Sequence, residues 1–221
     1  MNAKIVRIGL IGSTGRFGKA IAALRDPSVQ ISALYHRAHP ADGDEKVDLF
    51  LDVSTVSALP HNLQVALLTK KPIVIGTTGH PHLESLKEAA RSIPVFYAAN
   101  FSLGMALMQR AAGEFARRFH RTASIALTES HHADKKDAPS GSALIIARSI
   151  EKTHPAKVEI QSIRSGQIVG KHELHFRSFE EHLTLVHEAQ SRDAFARGAL
   201  EAARFLAVQS PGFYTMDDLI K

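Results

Sequence analysis

The chain reads as an α/β protein in two parts: a parallel sheet flanked by helices, then a smaller α+β region with an open mixed sheet. Two patterns and a length predict this. Apolar runs alternate with helix-competent segments through the first hundred residues, the rhythm of a parallel sheet. Beyond residue 102 it gives way to a long helical pattern, a strand, a second helix and three successive strand-like stretches. A length of 221 residues allows between one and two domains at about 150 residues each, enough for a core without staples.

Each element has its own signal. Residues 5–11, Ile-Val-Arg-Ile-Gly-Leu-Ile, form a short apolar run that reads as a buried strand. An Ala-rich helix over 19–24 ends at Asp26-Pro27. Strands follow over 30–35 and 47–53, separated by a polar loop with Pro40 and Gly43. A helix spans 57–70, with Pro60 setting its true start. Residues 72–75 form a strand, 83–92 a helix and 94–98 a strand. In the second part, helices are expected over 103–119 and 142–150, and strands over 123–129, 158–163, 167–176 and 182–189. An Ala-rich helix over 192–208 closes the pattern. No internal repeat or low-complexity tract is present.

Composition removes whole classes. With no cysteine, disulfide frameworks, zinc ribbons and thiol nucleophiles are excluded. The N-terminal residues carry no secretory pattern, and no apolar run nears the ~18 residues of a membrane span. A cytoplasmic protein with no membrane partner is expected. The net charge of +5 and isoelectric point of 9.6 suit nucleic acid, anionic lipid or small anions. The basic residues are dispersed, in runs no longer than pairs such as Lys135-Lys136 and Arg117-Arg118. Aromatics are 6% and tryptophan is absent, so single-strand stacking platforms are not expected, and no nucleic-acid partner is.

The first strand runs into Gly12-Ser13-Thr14-Gly15-Arg16-Phe17-Gly18. Glycines let the backbone turn sharply and approach a pyrophosphate, while a helix start offers free amides and a positive dipole end. That suits a Rossmann-like dinucleotide site, although Thr14 stands where the usual fingerprint has glycine. A tight turn of purely structural origin is the competing reading. Arg16 is either a solvated surface arginine or a cation beside a phosphate. At the tip of the second strand, where an acid would hold the ribose of NAD, the chain reads Leu34-Tyr35-His36-Arg37. His36 and Arg37 would suit the extra phosphate of NADPH, or they are ordinary loop cations.

The most informative segment runs from Glu129 through Ser142: Glu-Ser-His-His-Ala-Asp-Lys-Lys-Asp-Ala-Pro-Ser-Gly-Ser. It is a polar loop between a strand and an apolar helix. Histidine donates protons near neutral pH, and lysine holds an anion. Ser140 is a natural N-cap, and Gly141 and Ser142 add amides and a hydroxyl, which together make a receptor for carboxylate or phosphate. A solvated loop with a helix cap is the bland alternative. Adjacent histidines point apart on a strand, and no third ligand is spaced for zinc, so no metal is expected.

These residues resemble the signature of the 4-hydroxy-tetrahydrodipicolinate (dihydrodipicolinate) reductase family. Glu129 to Ala143 matches its Glu-x-His-His-x-x-Lys-x-Asp-Ala-Pro-Ser-Gly block. Gly12 to Gly18, with Phe17 in place of methionine, also resembles the family, as do Gly76-Thr77-Thr78-Gly79, Ala98 to Gly104, and Ser191-Arg192 with Phe195 to Ala199. The resemblance covers nearly the whole chain and implies NAD(P)H-dependent reduction of a small cyclic dicarboxylate in lysine and diaminopimelate synthesis. It implies that His131 is the general acid and Lys135 its catalytic partner and carboxylate ligand. His132 would bind substrate, and Ser140, Gly141 and Ser142 would receive a carboxylate. The cofactor would be lined by Gly12, Ser13, Thr14, Gly15, Arg16 and Phe17, by His36 and Arg37, and by Gly76, Thr77, Thr78, Ala98, Ala99, Asn100 and Phe101. Residues 1–101 and 193–221 would form the dinucleotide-binding domain, and 102–192 the substrate-binding and oligomerisation domain of a homotetramer. The chain is short for the family: the stretch from Arg37 to Val47 is compressed, so the nucleotide half is expected to lack an element. A non-catalytic dinucleotide sensor, or an oxidoreductase acting on another small carboxylate, are the alternatives.

Overall fold

A computed structural model describes residues 5–42, 46–79 and 83–221. Residues 1–4, 43–45 and 80–82 lie outside it, and with them the N-terminal segment and part of the compressed loop discussed above. In chain order the elements are β1 (Val6–Ile11), α1 (Arg16–Ala23), β2 (Val29–Tyr35), β3 (Leu49–Asp52), α2 (Leu59–Thr69) and β4 (Ile73–Ile75). Then come α3 (Leu83–Ala89), β5 (Pro94–Tyr97), α4 (Leu103–Arg118), β6 (Ser124–His131) and α5 (Gly141–Glu151). The last are β7 (Val158–Arg164), β8 (Lys171–Arg177), β9 (His182–Glu188), α6 (Asp193–Leu206), β10 (Gly212–Tyr214) and α7 (Met216–Leu219). The chain divides into two compact units, Met1–Phe101 with Asp193–Lys221, and Ser102–Arg192. No helix among the described residues is long and apolar enough to cross a membrane.

The first unit is built on a six-stranded sheet in the order β10-β5-β4-β3-β1-β2, with every pairing parallel. Parallel strands covered on both faces are apolar throughout, and β3 and β4 are buried at every position. The core gathers Phe50, Ile73, Ile75, Leu86 and Val95, with α2 adding Leu63 and Ala66. β2 lies on one side of β1 and β3 on the other, so the chain reverses its direction across the sheet after β2. The described residues between β2 and β3 contain no helix or further strand, only a His36–His39 bridge. β2 is the edge strand of this sheet.

Several boundaries differ from the sequence expectation, and two elements are new. α1 begins at Arg16, not residue 19, because the glycine turn feeds the helix directly. The strand expected over 167–176 begins at Lys171, since the backbone first turns at Gly166, whose φ is +54°. β10 and α7 were not anticipated; at three and four residues they are too short to show a period.

The second unit has a sheet ordered β7-β6-β8-β9. β6 pairs parallel with β7 and antiparallel with β8, which makes the sheet mixed. The register aligns side chains in rows across it. One row is Val158, Ile125, Phe176 and Leu183; the next is Ile160, Leu127, Leu174 and Leu185. Both belong to the apolar core with Ile146 and Ile150 of α5 and Met108 and Ala112 of α4. The third row is Ser162, Glu129, His172 and His187. Along the same face, the core thus changes from hydrocarbon to polar within one pleat repeat.

Candidate functional site

In the first unit the candidate site is a cleft of about 680 Å³ outside the carboxyl ends of β1 and β3. This is the point where strand order reverses, and it is where α/β sheets bind ligands. The cleft is shaped mostly by backbone. Gly12 has φ +86°, and a Cβ there would lie 2.7 Å from the Val53 carbonyl. A Cβ on Gly18 would collide with the Gly12 carbonyl oxygen, so α1 can start close against β1 only with glycine there. α1 has no side-chain cap and no acid in its first turn, which leaves its positive end available to an anion. Asp52, fully buried, fixes the opposite wall. It accepts from the Ser54 amide and hydroxyl (2.8 and 2.6 Å) and from Asn62 Nδ2 (2.9 Å).

Of the residues singled out for a cofactor, the cleft gathers Gly12, Thr14, Gly15, His36 and Arg37. It adds His61, whose ring bonds the Ala41 carbonyl at 3.2 Å. Tyr35 points into the core against Phe50, so His36 and Arg37 alone represent the tip of β2. Ser13, Arg16, Phe17, Gly76, Thr77, Thr78, Ala98, Ala99, Asn100 and Phe101 are not among its lining residues. Arg16, Thr78 and Ala99 are exposed. The side chains of Ser13, Thr77, Ala98 and Phe101 are buried. Ser13 bonds the Tyr35 carbonyl (3.0 Å), Thr77 reaches Asp52 (3.4 Å), and Phe101 packs on Phe17 and Phe96. At those four positions only backbone can face a ligand.

In the second unit the site grows out of the polar row. Glu129 is fully buried and surrounded by donors. Arg164 Nη2 donates to Oε1 at 2.7 Å, His131 Nδ1 lies 2.5 Å from Oε2, and the Ser140 amide donates to Oε1 at 3.3 Å. Burial alone would raise the pKa of this carboxyl, but hydrogen bonds from Arg164, Ser162 and His131 outweigh it and hold it below its ordinary value. His131 is shifted down: burial is the largest cause, Lys135 and Arg164 add to it, and Glu129 opposes it. His172 stands 5.4 Å away, ring centre to ring centre. Burial, with His131 and His187 nearby, pushes its pKa down to about 4.

Lys135 pairs with Asp137 at 2.7 and 2.9 Å. Arg164 also donates to the Asp137 carbonyl at 2.5 Å, which ties the loop after β6 to the sheet. Ser140 caps α5 by accepting from the Ala143 amide at 3.3 Å, and its hydroxyl lies 3.5 Å from His172 Nε2. Gly141 is exposed, and a Cβ there would meet nothing within 4 Å. Internal packing therefore does not demand that glycine; what it leaves open is the approach to the first amides of α5. Ser142 and His132 are half-buried. The structure thus brings His131, Lys135, Ser140, Gly141 and Ser142 to one end of the polar row, between two cations and a helix start.

Glu129, His131 and His172 offer ligand atoms within 4.8 Å of one another, a grouping the spacing along one strand does not reveal. Glu129 is already bonded to Arg164 and His131, so a metal ion there would have to displace both.

Two sequence profiles match, described as dihydrodipicolinate reductase, N-terminus, over residues 6–101 and dihydrodipicolinate reductase, C-terminus, over residues 104–220. The chain belongs to the dihydrodipicolinate reductase family. A 4-hydroxy-tetrahydrodipicolinate reductase of Zymomonas mobilis is 38% identical, with 97% of each chain covered. One from Bdellovibrio bacteriovorus is 37% identical over 98% of this chain and 97% of that one. Among solved structures, a dipicolinate-bound dihydrodipicolinate reductase from Paenisporosarcina superposes with a TM-score of 0.82 at 19% identity, covering 96% and 97% of the two chains. At that identity the superposition speaks for the fold. Within this family member, Arg164 and His172 join the site from β7 and β8, and Glu129 holds its centre. None of the three carries a role in the sequence reading. The one available signal was the alternation Ile125, Leu127, Glu129, His131, which puts an acid where the strand should still be apolar.

Proposed function

We propose that the chain reduces 4-hydroxy-tetrahydrodipicolinate to tetrahydrodipicolinate with NAD(P)H, in lysine and diaminopimelate synthesis. The observation that carries this is His131 held 2.5 Å from a buried Glu129, beside the open start of α5 at Gly141. A proton donor and an anion receptor there suit a dicarboxylate that must be both oriented and protonated. The first unit serves as the dinucleotide domain and the second as the substrate domain.

A bound nicotinamide supplies the hydride. The 4-hydroxyl leaves as water with a hydrogen from an adjacent ring carbon, and His131 returns a proton to that carbon once C4 has taken the hydride, so one hydride and one proton enter for each water lost. Lys135 exchanges Asp137 for a substrate carboxylate. The α5 amides at Gly141 and Ser142 receive a carboxylate along the helix dipole, and His132 closes the same pocket. No step of this reading needs a metal, because the substrate carboxylates are met by Lys135 and the helix start.

NADPH is the preferred cofactor in this reading. Among the described residues the cleft is lined by His36, Arg37 and His61 and by no carboxylate, which suits a 2′-phosphate better than a bare ribose. A homotetramer through the outward face of the second sheet fits the exposed Ile163 and Val186 on it. A cytoplasmic setting follows from the cofactor pool. Absorbance at 340 nm tests the reaction, using freshly generated product of dihydrodipicolinate synthase with NADPH and NADH in separate cuvettes. Rapid enzyme-dependent decay, faster with NADPH, is expected. Tight cofactor binding without decay would replace this reading with a dinucleotide sensor.

A further inference from the structure

We infer that Glu129 is the positioning residue of the site: it fixes the tautomer and charge of His131 and, through the same carboxylate, the start of the anion-receiving helix. This rests on His131 being the proton donor. Arg164 can only donate, and it occupies Oε1 at 2.7 Å together with the Ser140 amide at 3.3 Å, while Ser162 adds a further side-chain hydrogen bond to the carboxylate. Oε2 is left to face His131 Nδ1 at 2.5 Å. A carboxylate oxygen can only accept there, so Nδ1 must carry its hydrogen in both charge states. The transferable proton is therefore on Nε2.

The groups facing His131 are Glu129 on β6, Arg164 on β7, His172 on β8 and Lys135 in the loop before α5. His187 on β9 stands behind His172. Arg164 and Lys135 disfavour a second proton on the ring, and the neutral His172 gives no compensation. Glu129 is the single anion in the set. The same carboxylate also pins the Ser140 amide, while the Ser140 hydroxyl is held between the Ala143 amide and His172. Proton donor and carboxylate receptor are thus referenced to one buried group, which sets their spacing relative to each other.

Glu129→Gln tests this without changing shape. The amide oxygen must turn to Arg164, so its NH2 group faces Nδ1, and the imidazolium then has a donor against a donor. The kcat of that variant is expected to fall by about tenfold or more near neutral pH. Its basic limb should move to lower pH, and KM for the dicarboxylate should rise while NADPH affinity is kept. Glu129→Asp should recover part of the limb position. A uniform loss of kcat with an unmoved limb would reduce Glu129 to a structural residue and overturn the inference. Should Glu129→Gln fail to fold, nitrogen-15 histidine NMR of the wild-type enzyme decides: neutral His131 carries its proton on Nδ1, and a proton on Nε2 overturns the proposal. His131→Gln separates the underlying reading. If that variant keeps full kcat, His131 is not the donor, whatever the tautomer measurement says of Glu129.

Discussion

On the proposed function, the two units receive anions by different means. In the first, the receptor is backbone: Gly12 in a left-handed conformation and Gly18 pressed on the Gly12 carbonyl bring a helix start to the end of β1. In the second, the receptor is a helix start joined to a buried side-chain network, with Glu129 accepting from three elements at once. A backbone site is insensitive to pH and to single side-chain changes, as long as the glycines stay. A network site depends on protonation and on the register of strands far apart in sequence. The proposed roles account for the difference: holding a dinucleotide needs fixed geometry, whereas delivering a proton needs a group that changes charge.

The sharpest break of that contrast is His131→Gln. Losing the proton donor should lower kcat by about 100-fold or more, with NADPH binding in the first unit unchanged. Steady-state kinetics beside a cofactor titration checks both halves; an unchanged kcat removes His131 from its role. Acid lability is the next largest effect. His172 is 3% exposed and its pKa is pushed down to about 4 by burial. Between that value and about 6.5 the unfolded chain binds the proton and the folded one does not, so stability rises with pH across this window. It is fully present above about 6.5, and about 3 kcal/mol is lost by pH 4. Hydrogen exchange should show the second unit opening first as pH falls through that window, and His172→Asn should flatten the dependence. Equal acid sensitivity of both units would dissolve the contrast.

How much of this was legible in the sequence also differs between the units. Gly12, Gly15 and Gly18 are neighbours along the chain, so the turn, the following helix and the place of the cleft could be read directly. The same holds for Ser140 to Ser142 at the start of α5. Arg164 lies 35 residues from Glu129, and His172 meets Glu129 only through the antiparallel register of β6 and β8. One sequence shows that a strand alternates but not which strand lies beside it, so the donors to Glu129 stayed hidden. The buried side chains of Thr77 and Phe101 are a second case: loop composition gave their location at the sheet end, while packing against Asp52 and Phe17 decided where they point.

A smaller effect is expected at Lys135, which is held by Asp137. Lys135→Ala should cost at least ~2 kcal/mol of transition-state stabilisation, because a charge-assisted contact to a desolvated carboxylate is lost. Asp137→Asn should act oppositely on binding: freed of its internal partner, Lys135 should take the substrate carboxylate more readily and KM should fall. Wild-type kcat/KM for Lys135→Ala would show that the α5 start alone holds the carboxylates.

The smallest effect belongs to the one place where the backbone-built site uses side chains. Arg37 is exposed at the tip of β2, with His36 and His61 on the same cleft. An exposed guanidinium on a phosphate is screened by solvent and contributes on the order of 1 kcal/mol. Arg37→Ala should therefore shift the NADPH-to-NADH ratio of kcat/KM by about fivefold to tenfold toward NADH, leaving kcat with NADH unchanged. The glycine turn would still hold the pyrophosphate, so affinity for both cofactors should survive. If the ratio does not move, selection at the ribose lies with His36 or His61, and Arg37 is a solvated loop cation. If both affinities collapse instead, the first unit relies on side chains as heavily as the second, and the division of labour between them fails.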